Sequence, residues 1–176
     1  ATYVTPLVNP PAYGGSAPQV SMNPYYVQLP QCTISTNPYG GATGTYGLLN
    51  CLAIQNGGVW AVIRFYEPPD GEGAILGIAG AQYPTGTGFA YTPWVYIGTN
   101  GYLYFGDWNG SHWQVSFPLT PGWHTLVAGE YYSGGTYYIV AYLDSTSNSY
   151  SFSTTSPPQL FGYGGPYPYS DVCTGY

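Results

Sequence analysis

The sequence has very little charge. Only 5% of its 176 residues are charged, against roughly 25% in a typical soluble domain. There is no lysine, and Arg64 is the single arginine. A net charge of −6 argues against electrostatic binding to phosphate backbones or to anionic lipid surfaces. We therefore expect neither a nucleic-acid partner nor a peripheral membrane partner.

Long hydrophobic runs are also missing. No stretch approaches the roughly 18 to 20 apolar residues that span a bilayer, so we expect no membrane insertion. No amphipathic period of 3.6 lasts three turns, so the sequence predicts no helix. The sequence begins at Ala1 rather than at Met. We expect that a signal peptide has been removed and that the protein is extracellular.

Signatures of catalysis are missing as well. The only histidines are His112 and His124; neither lies near a Gly-x-Ser-x-Gly elbow, and no zinc-binding spacing occurs. The nearest match to a glycosidase carboxylate pair is Glu67-Pro-Pro-Asp70-Gly-Glu72. Its prolines and glycine predict a loop, which cannot hold two carboxylates at a fixed separation of about 5 Å. We expect no enzyme.

The same acidic loop has two other interpretations. Glu67, Asp70 and Glu72 form either a solvated acidic turn or a set of hard oxygen ligands for Ca²⁺, because clustered carboxylates on a turn suit that ion. Both interpretations stay open, and we expect no other cofactor.

What the sequence does contain is a regular series of strand and turn signals over residues 93–144. Five apolar and aromatic segments are separated by Asn100-Gly101, Asn109-Gly110, Pro121-Gly122 and Ser133-Gly134-Gly135. Such residues supply the backbone conformations of tight hairpin turns. Five strands in about fifty residues predict an all-β sandwich or barrel.

The flanking segments extend this domain to residues 25–176. YYVQLP, CTIS, LLNCLAIQ and VWAVIRFYEP are predicted strands, with a hairpin at Asn56-Gly57-Gly58. Alternation in the last of these places Arg64 on a half-exposed side, where we expect a carboxylate partner. A final strand is expected at residues 159–162 or 170–174.

Residues 1–24 form a separate, extended arm. Five of the chain's prolines lie here, and Pro10-Pro11 and Gly14-Gly15 break any strand longer than about five residues. Only TYVTPLV, with the apolar residues Tyr3, Val4, Leu7 and Val8, could pair with a sheet edge. The arm is either a disordered leader or a strand that adds to a neighbouring subunit.

Three cysteines, Cys32, Cys51 and Cys173, predict either one disulfide with one remaining thiol or an intermolecular bridge, in an oxidising compartment. Cys32 with Cys51 would close a short loop, whereas Cys32 with Cys173 would join the two ends of the domain. We favour the second pairing, because the first and last strands of sandwiches often lie side by side. Three buried, reduced cysteines are a further alternative.

The order of segments from YYVQLP to TYYIVAYLD, over residues 25–144, resembles the concanavalin A-like domains of the laminin G type. The most specific pieces are Pro121-Gly122-Trp123-His124 and Ala141-Tyr142-Leu143-Asp144, although Ser145 follows where the family usually has glycine. The resemblance implies a two-sheet antiparallel jelly-roll sandwich. It also implies a carbohydrate-binding or adhesion module, sometimes with one Ca²⁺ at a rim loop.

Aromatic residues make glycan binding a plausible activity. Asp107, Trp108, Asn109 and Trp113 surround a predicted hairpin tip, where indole faces could stack on sugar rings. Aromatic residues also build sandwich cores, so both roles stay open. Asn109-Gly110-Ser111 is in addition an N-glycosylation sequon.

Two classes of function follow. One is a self-assembling structural subunit of an extracellular filament, sheath, surface layer or virion, whose partners are copies of itself. The other is a carbohydrate-binding or adhesion module whose partners are glycans. We favour the first, because a surface so poor in charge should not keep a monomer soluble.

Overall fold

The computed structural model describes residues 26–67, 73–79, 91–98, 100–107 and 115–173. These residues form two main antiparallel sheets, a small hairpin and one α-helix. The arrangement is sandwich-like and mostly β, as predicted. Within the described residues no helix has the length and apolar character needed to cross a membrane.

The larger sheet has six strands. In spatial order they are β1 (Tyr26–Gln28), β12 (Tyr169–Cys173), β5 (Gly73–Ala79), β6 (Tyr91–Ile97), β7 (Tyr102–Phe105) and β8 (Val115–Pro118). The second sheet has four strands in the order β11 (Thr146–Phe152), β10 (Thr136–Leu143), β9 (Gly122–Ser133) and β4 (Gly58–Glu67).

The series of strands predicted over residues 93–144 is confirmed as β6 to β10. Glycines at the turns take the positive φ values that such hairpins need, 78° at Gly101 and 58° and 87° at Gly134 and Gly135. The final strand is β12, whereas residues Gln159–Phe161 form a short 3-10 helix.

One core lies between the two main sheets. Alternate residues of the four-stranded sheet, such as Leu126 and Ile139, point inward and meet Trp94 and Phe105 of the six-stranded sheet. All four side chains are fully buried. The two sheets meet laterally at β8 and β11, where the Asn148 amide donates to the Ser116 carbonyl at 3.0 Å.

β11 is a strand that its sequence does not predict. TSNSYSF is almost wholly exposed, so it has no alternation of apolar and polar residues to read. It forms because β10 offers a backbone ladder from Leu143↔Thr146 to Tyr137↔Phe152. Asp144 makes the connecting turn with φ 54°, a conformation that aspartate tolerates better than most residues.

The prediction that the chain has no helix is wrong. LLNCLAIQ, predicted as a strand, forms most of α1 (Leu48–Asn56). A short apolar run fits either structure, and its leucines and alanine favour a helix. Gly57, predicted in a hairpin turn, instead ends the helix with φ 77° and donates to the Ala53 carbonyl.

The favoured pairing of Cys32 with Cys173 is also wrong. Cys32 bonds to Cys51, with Cα atoms 6.1 Å apart. The reason is the helix. Cys32 lies on β2 (Gln31–Ile34), which pairs with β3 (Gly44–Gly47), and α1 follows β3 directly and carries Cys51 back to β2. The end strands do pair, as β1 with β12, without any need for a disulfide.

This pairing predicts where the disulfide stabilises the fold. Replacing Cys32 and Cys51 together with serine should lower the free energy of unfolding by about 3 kcal/mol, the magnitude expected for a loop of this length. Urea unfolding would measure the loss, and Cys173→Ser, which leaves the disulfide intact, is the matched control. Peptide mapping without reduction should join Cys32 to Cys51; a bridge that includes Cys173 would contradict the structure.

Candidate functional site

The four-stranded sheet exposes large apolar side chains on the side away from the core. We call this side the outer face; it consists of even-numbered residues of β4 and β10 and odd-numbered residues of β9. Val62 is 73% exposed, Trp123 61%, Tyr66 55% and Trp60 50%. A strand covered on one side normally turns polar residues to water. β4 instead presents apolar residues on both sides.

A row of aromatic rings crosses one end of the outer face. The rings of Trp60 and Tyr131 are 6.2 Å apart at 24°, and those of Tyr131 and Tyr138 are 5.0 Å apart at 17°. Gly129, the β9 partner of Trp60, makes room for the indole. A Cβ atom at Gly129 would lie only 2.3 Å from the nearest indole atom.

The other end of the outer face holds the chain's only arginine. The guanidinium of Arg64 lies 5.2 Å from the ring centroid of Trp123, within the range of a cation–π contact. Tyr66 meets the same indole edge to face at 5.6 Å. The solvent-facing position predicted for Arg64 is confirmed. Among the described residues, the partner that the structure shows is an indole rather than a carboxylate.

Beneath the sheet lies a buried pair of carboxyl groups. Glu130 of β9 is fully buried and Asp107, which follows β7, is 1% exposed. Asp107 lies close enough to affect the pKa of Glu130. The Trp94 indole donates to Glu130 at 3.4 Å, and Asp107 accepts the Leu160 N–H at 2.7 Å. Burial and the adjacent Asp107 raise the pKa of Glu130 well above its usual range. Burial therefore favours the neutral, protonated form of Glu130.

The structure corrects the prediction that Asp107 contacts a sugar at an exposed tip. Its carboxyl is enclosed and holds the 3-10 helix Gln159–Phe161 against the end of β7. On the other side of that helix, the buried Asn50 amide donates to the Gln159 and Leu160 carbonyls. This polar network joins α1, the 3-10 helix and both main sheets.

Glu67 is not part of a solvated turn, so that interpretation is wrong for this residue. It ends β4 on the inner side and is only 7% exposed. Burial raises the pKa of Glu67 to about 7, while nearby His124 opposes the shift. Asp70 and Glu72 lie outside the described residues. In the described part of the chain no three His, Cys, Asp or Glu side chains cluster as metal ligands, and the Ca²⁺ site stays a prediction.

His124 has the structural role that a half-buried histidine usually has. Its Nδ1 lies 2.8 Å from an Asp144 carboxylate oxygen and its Nε2 lies 2.6 Å from the Thr120 carbonyl. Burial works against protonation, yet these two hydrogen bonds raise the pKa of His124. The bonds from His124 and from the Thr125 N–H lower the pKa of Asp144. The pair fixes the β10–β11 turn.

The other predicted site residues cannot be placed. Trp108, Asn109 and Trp113, the proposed sugar and glycan positions, lie outside the described residues, as does the arm with Tyr3, Val4, Leu7 and Val8. Sequence reasoning did not single out Glu130, because a lone glutamate inside an apolar strand gives no motif. It also gave Trp60 and Trp123 little weight as contact residues, although the alternation of β4 places Trp60, Val62 and Tyr66 on the same side of the strand.

Comparisons with family models, with curated proteins and with solved structures give no significant match. The resemblance to concanavalin A-like domains therefore stays a prediction, and the function is argued from the site alone.

We predict that Gly129→Ala destabilises the fold by about 1 to 2 kcal/mol, because the new methyl group displaces the Trp60 indole from its place beside Tyr131. Urea unfolding of both single variants and the double variant with Trp60→Ala measures the coupling. In the Trp60→Ala background, Gly129→Ala should lower the free energy of unfolding much less. Equal costs in the two backgrounds would contradict this packing.

The raised carboxyl pKa values predict a fold that is most stable in acid. Above about pH 4.5 the unfolded chain releases protons that folded Glu67 and Glu130 keep. Each group therefore lowers the free energy of unfolding by up to about 1.4 kcal/mol per pH unit as the pH rises toward 7. The raised pKa of His124 acts in the same direction from about pH 6.5 upward.

Urea unfolding at a series of pH values tests this expectation. Glu130→Gln mimics the protonated side chain and cannot ionise, so its stability should fall less steeply with pH than that of the natural protein. A stability that rises between pH 4.5 and 7 would contradict the assignment, as would an unchanged slope in the variant.

Proposed function

We propose that this protein is a non-enzymatic, self-assembling structural subunit of an extracellular filament, sheath, surface layer or virion, whose partners are copies of itself. The observation that carries the proposal is the outer face. Four large side chains on it are at least half exposed, whereas monomeric soluble proteins rarely leave a large contiguous apolar surface in water. Burying that face against another copy would stabilise an assembly.

The charge distribution supports association between identical copies. When two identical surfaces meet, like charges on them repel each other. The single cation of the outer face, Arg64, already lies against the Trp123 indole. Interface cores are depleted in charged residues and enriched in Trp, Tyr and Arg. The outer face has this composition.

The buried carboxyls support a structural role over catalysis. A general acid or base must reach a substrate, while Asp107 and Glu130 are enclosed in the core and bonded to Leu160 and Trp94. Their buried position suits a structural link between the two main sheets.

The disulfide Cys32–Cys51 is compatible with an oxidising compartment and supports the extracellular location. For the finer fold we keep the jelly-roll connectivity of concanavalin A-like domains as a proposal. Antiparallel pairing throughout the described sheets agrees with it.

A carbohydrate-binding or adhesion module is the second candidate, and the same face favours it. Trp60 and Trp123 expose indole surface on the outer face, and β11, at the opposite edge of the same sheet, is rich in hydroxyl groups. Indole faces stack on sugar rings while hydroxyls bond to them.

A charge on the outer face should prevent assembly. We predict that Val62→Glu, at the most exposed of these positions, raises the concentration needed for assembly by about tenfold or more, since it buries an unpaired charge in the interface. Sedimentation velocity and electron microscopy measure the effect. Tyr163→Glu is the matched control, because Tyr163 is also exposed but lies beyond the 3-10 helix, outside the outer face.

Equal assembly of the two variants would exclude the outer face as the interface. A natural protein that stays monomeric, and that pellets with an insoluble polysaccharide unless Trp60 and Trp123 are replaced with alanine, would establish the second candidate instead.

A further inference from the structure

The edge strand of the four-stranded sheet is long and open. β4 has ten residues and pairs with β9 on one side; on its other side, no strand of the described part of the chain pairs with it. Natural proteins usually protect such an edge with prolines, several charges or a bulge. β4 has no proline, and before its terminal Glu67 its only charge is Arg64.

The direction of the β4 peptide groups follows from the ladder. The Tyr132 N–H donates to the Gly57 carbonyl, and residues 57 and 132 are in register with the pairs from Gly58↔Tyr131 to Glu67↔Gly122. In an antiparallel pair, residues bonded to the partner alternate with residues whose peptide groups point away. Odd residues of β4 therefore bond to β9. The even residues turn their N–H and C=O groups to the open edge: Trp60, Val62, Arg64 and Tyr66.

The open edge and the outer face thus share the same residues. On the inner side, Ala61, Ile63 and Phe65 are only partly buried, although they pack against the core. An added strand would therefore pair with the free peptide groups of β4 and would also extend the outer face and cover the inner side of β4.

We propose that residues 2–8 of one copy add to the open edge of β4 in a second copy as an antiparallel strand. This inference rests on the proposed self-assembly and names its mechanism. The segment TYVTPLV lies in the part of the chain outside the described residues. Its apolar residues form two adjacent pairs, Tyr3-Val4 before Thr5 and Leu7-Val8 after Pro6.

Pro6 fixes which residues of the segment face β4. Proline has no N–H to donate, so it must lie where the peptide group points away from the partner strand. Tyr3, Thr5 and Leu7 then supply the ladder. Directly opposite residues share a sheet side in antiparallel pairs, which places Tyr3 and Leu7 on the outer face. Val4 and Val8 then meet the partly buried inner side of β4.

The connection between the segment and the domain favours a second copy over the same copy. Residues 9–25 can span at most about 55 to 60 Å, enough to reach a neighbour. They contain Pro10, Pro11, Pro18 and Pro24, and proline-rich linkers act as extended spacers. Within one copy, α1 packs against both β4 and β12, so the segment would have to pass around the helix to reach its own β4.

The test is a pair of proline variants in the full chain. Thr5→Pro removes an N–H that faces β4, whereas Val4→Pro adds the same ring at a position that faces away. We expect Thr5→Pro to raise the critical concentration for assembly by about tenfold or more, the factor for one unsatisfied backbone hydrogen bond. Val4→Pro keeps every N–H that faces β4 and loses only part of an apolar contact, so it should raise the critical concentration much less than Thr5→Pro does. Both positions lie outside the described residues.

A mixing experiment identifies the acceptor. Val62→Pro removes a donor from the open edge without removing a bond to β9, and circular dichroism checks its fold. Thr5→Pro and Val62→Pro should each stay monomeric. A mixture should form a dimer, in which the unaltered arm of Val62→Pro pairs with the unaltered β4 edge of Thr5→Pro. If Val62→Pro does not fold, the comparison of Thr5→Pro with Val4→Pro decides alone.

The remaining outcomes separate this inference from the proposed function. Equal assembly of Thr5→Pro, Val4→Pro and the natural protein would overturn strand addition while leaving self-assembly intact. Monomeric single variants that give no dimer when mixed would overturn pairing between the arm of one copy and the β4 edge of another. A natural protein that does not assemble at all would overturn both proposals.

Discussion

The β4–β9 ladder is the interaction on which the rest of the structure depends. Its ten paired positions, from Gly58↔Tyr131 to Glu67↔Gly122, fix which side chains of β4 face the core and which face water. A slip of one residue would exchange Ile63 for Arg64 inside the sandwich. The same register places Trp60 over Gly129 and turns the peptide groups of the exposed residues to the open edge. Core, outer face and edge are consequences of a single pairing.

The polar groups inside this apolar frame are few and closely tied. Asp107 and Glu130 lie near each other in the core, and Leu160 and Trp94 bond to them from two other elements. Such a network is stable only while the pair keeps a proton, because two adjacent buried carboxylates repel each other. The chain therefore gains a specific connection between its sheets at the cost of stability at higher pH. A chain with few charged residues thus has its main electrostatic constraint in its interior.

Local signals in the sequence predicted much of the fold, and tertiary context decided the rest. The turns at Gly101 and Gly134 were visible because only a few residue types adopt those conformations. α1 was missed because its apolar run is short, and β11 was missed because backbone pairing with β10, not burial, holds it. Because α1 carries Cys51 to Cys32, the failure to predict α1 also led to the wrong disulfide pairing. In the site, the alternation of β4 correctly put Arg64 toward solvent, yet nothing local reveals that Asp107 is buried.

Amide hydrogen exchange of β4, resolved by residue, tests the central claim most directly. In the dissociated subunit the N–H groups of Val59, Ala61, Ile63 and Phe65 should be protected by β9, while those of Trp60, Val62, Arg64 and Tyr66 exchange freely. On assembly the second set should become protected as well, because a strand from another copy pairs with the edge. The account is contradicted if the second set is protected already in the dissociated subunit, or if it stays unprotected in the assembly.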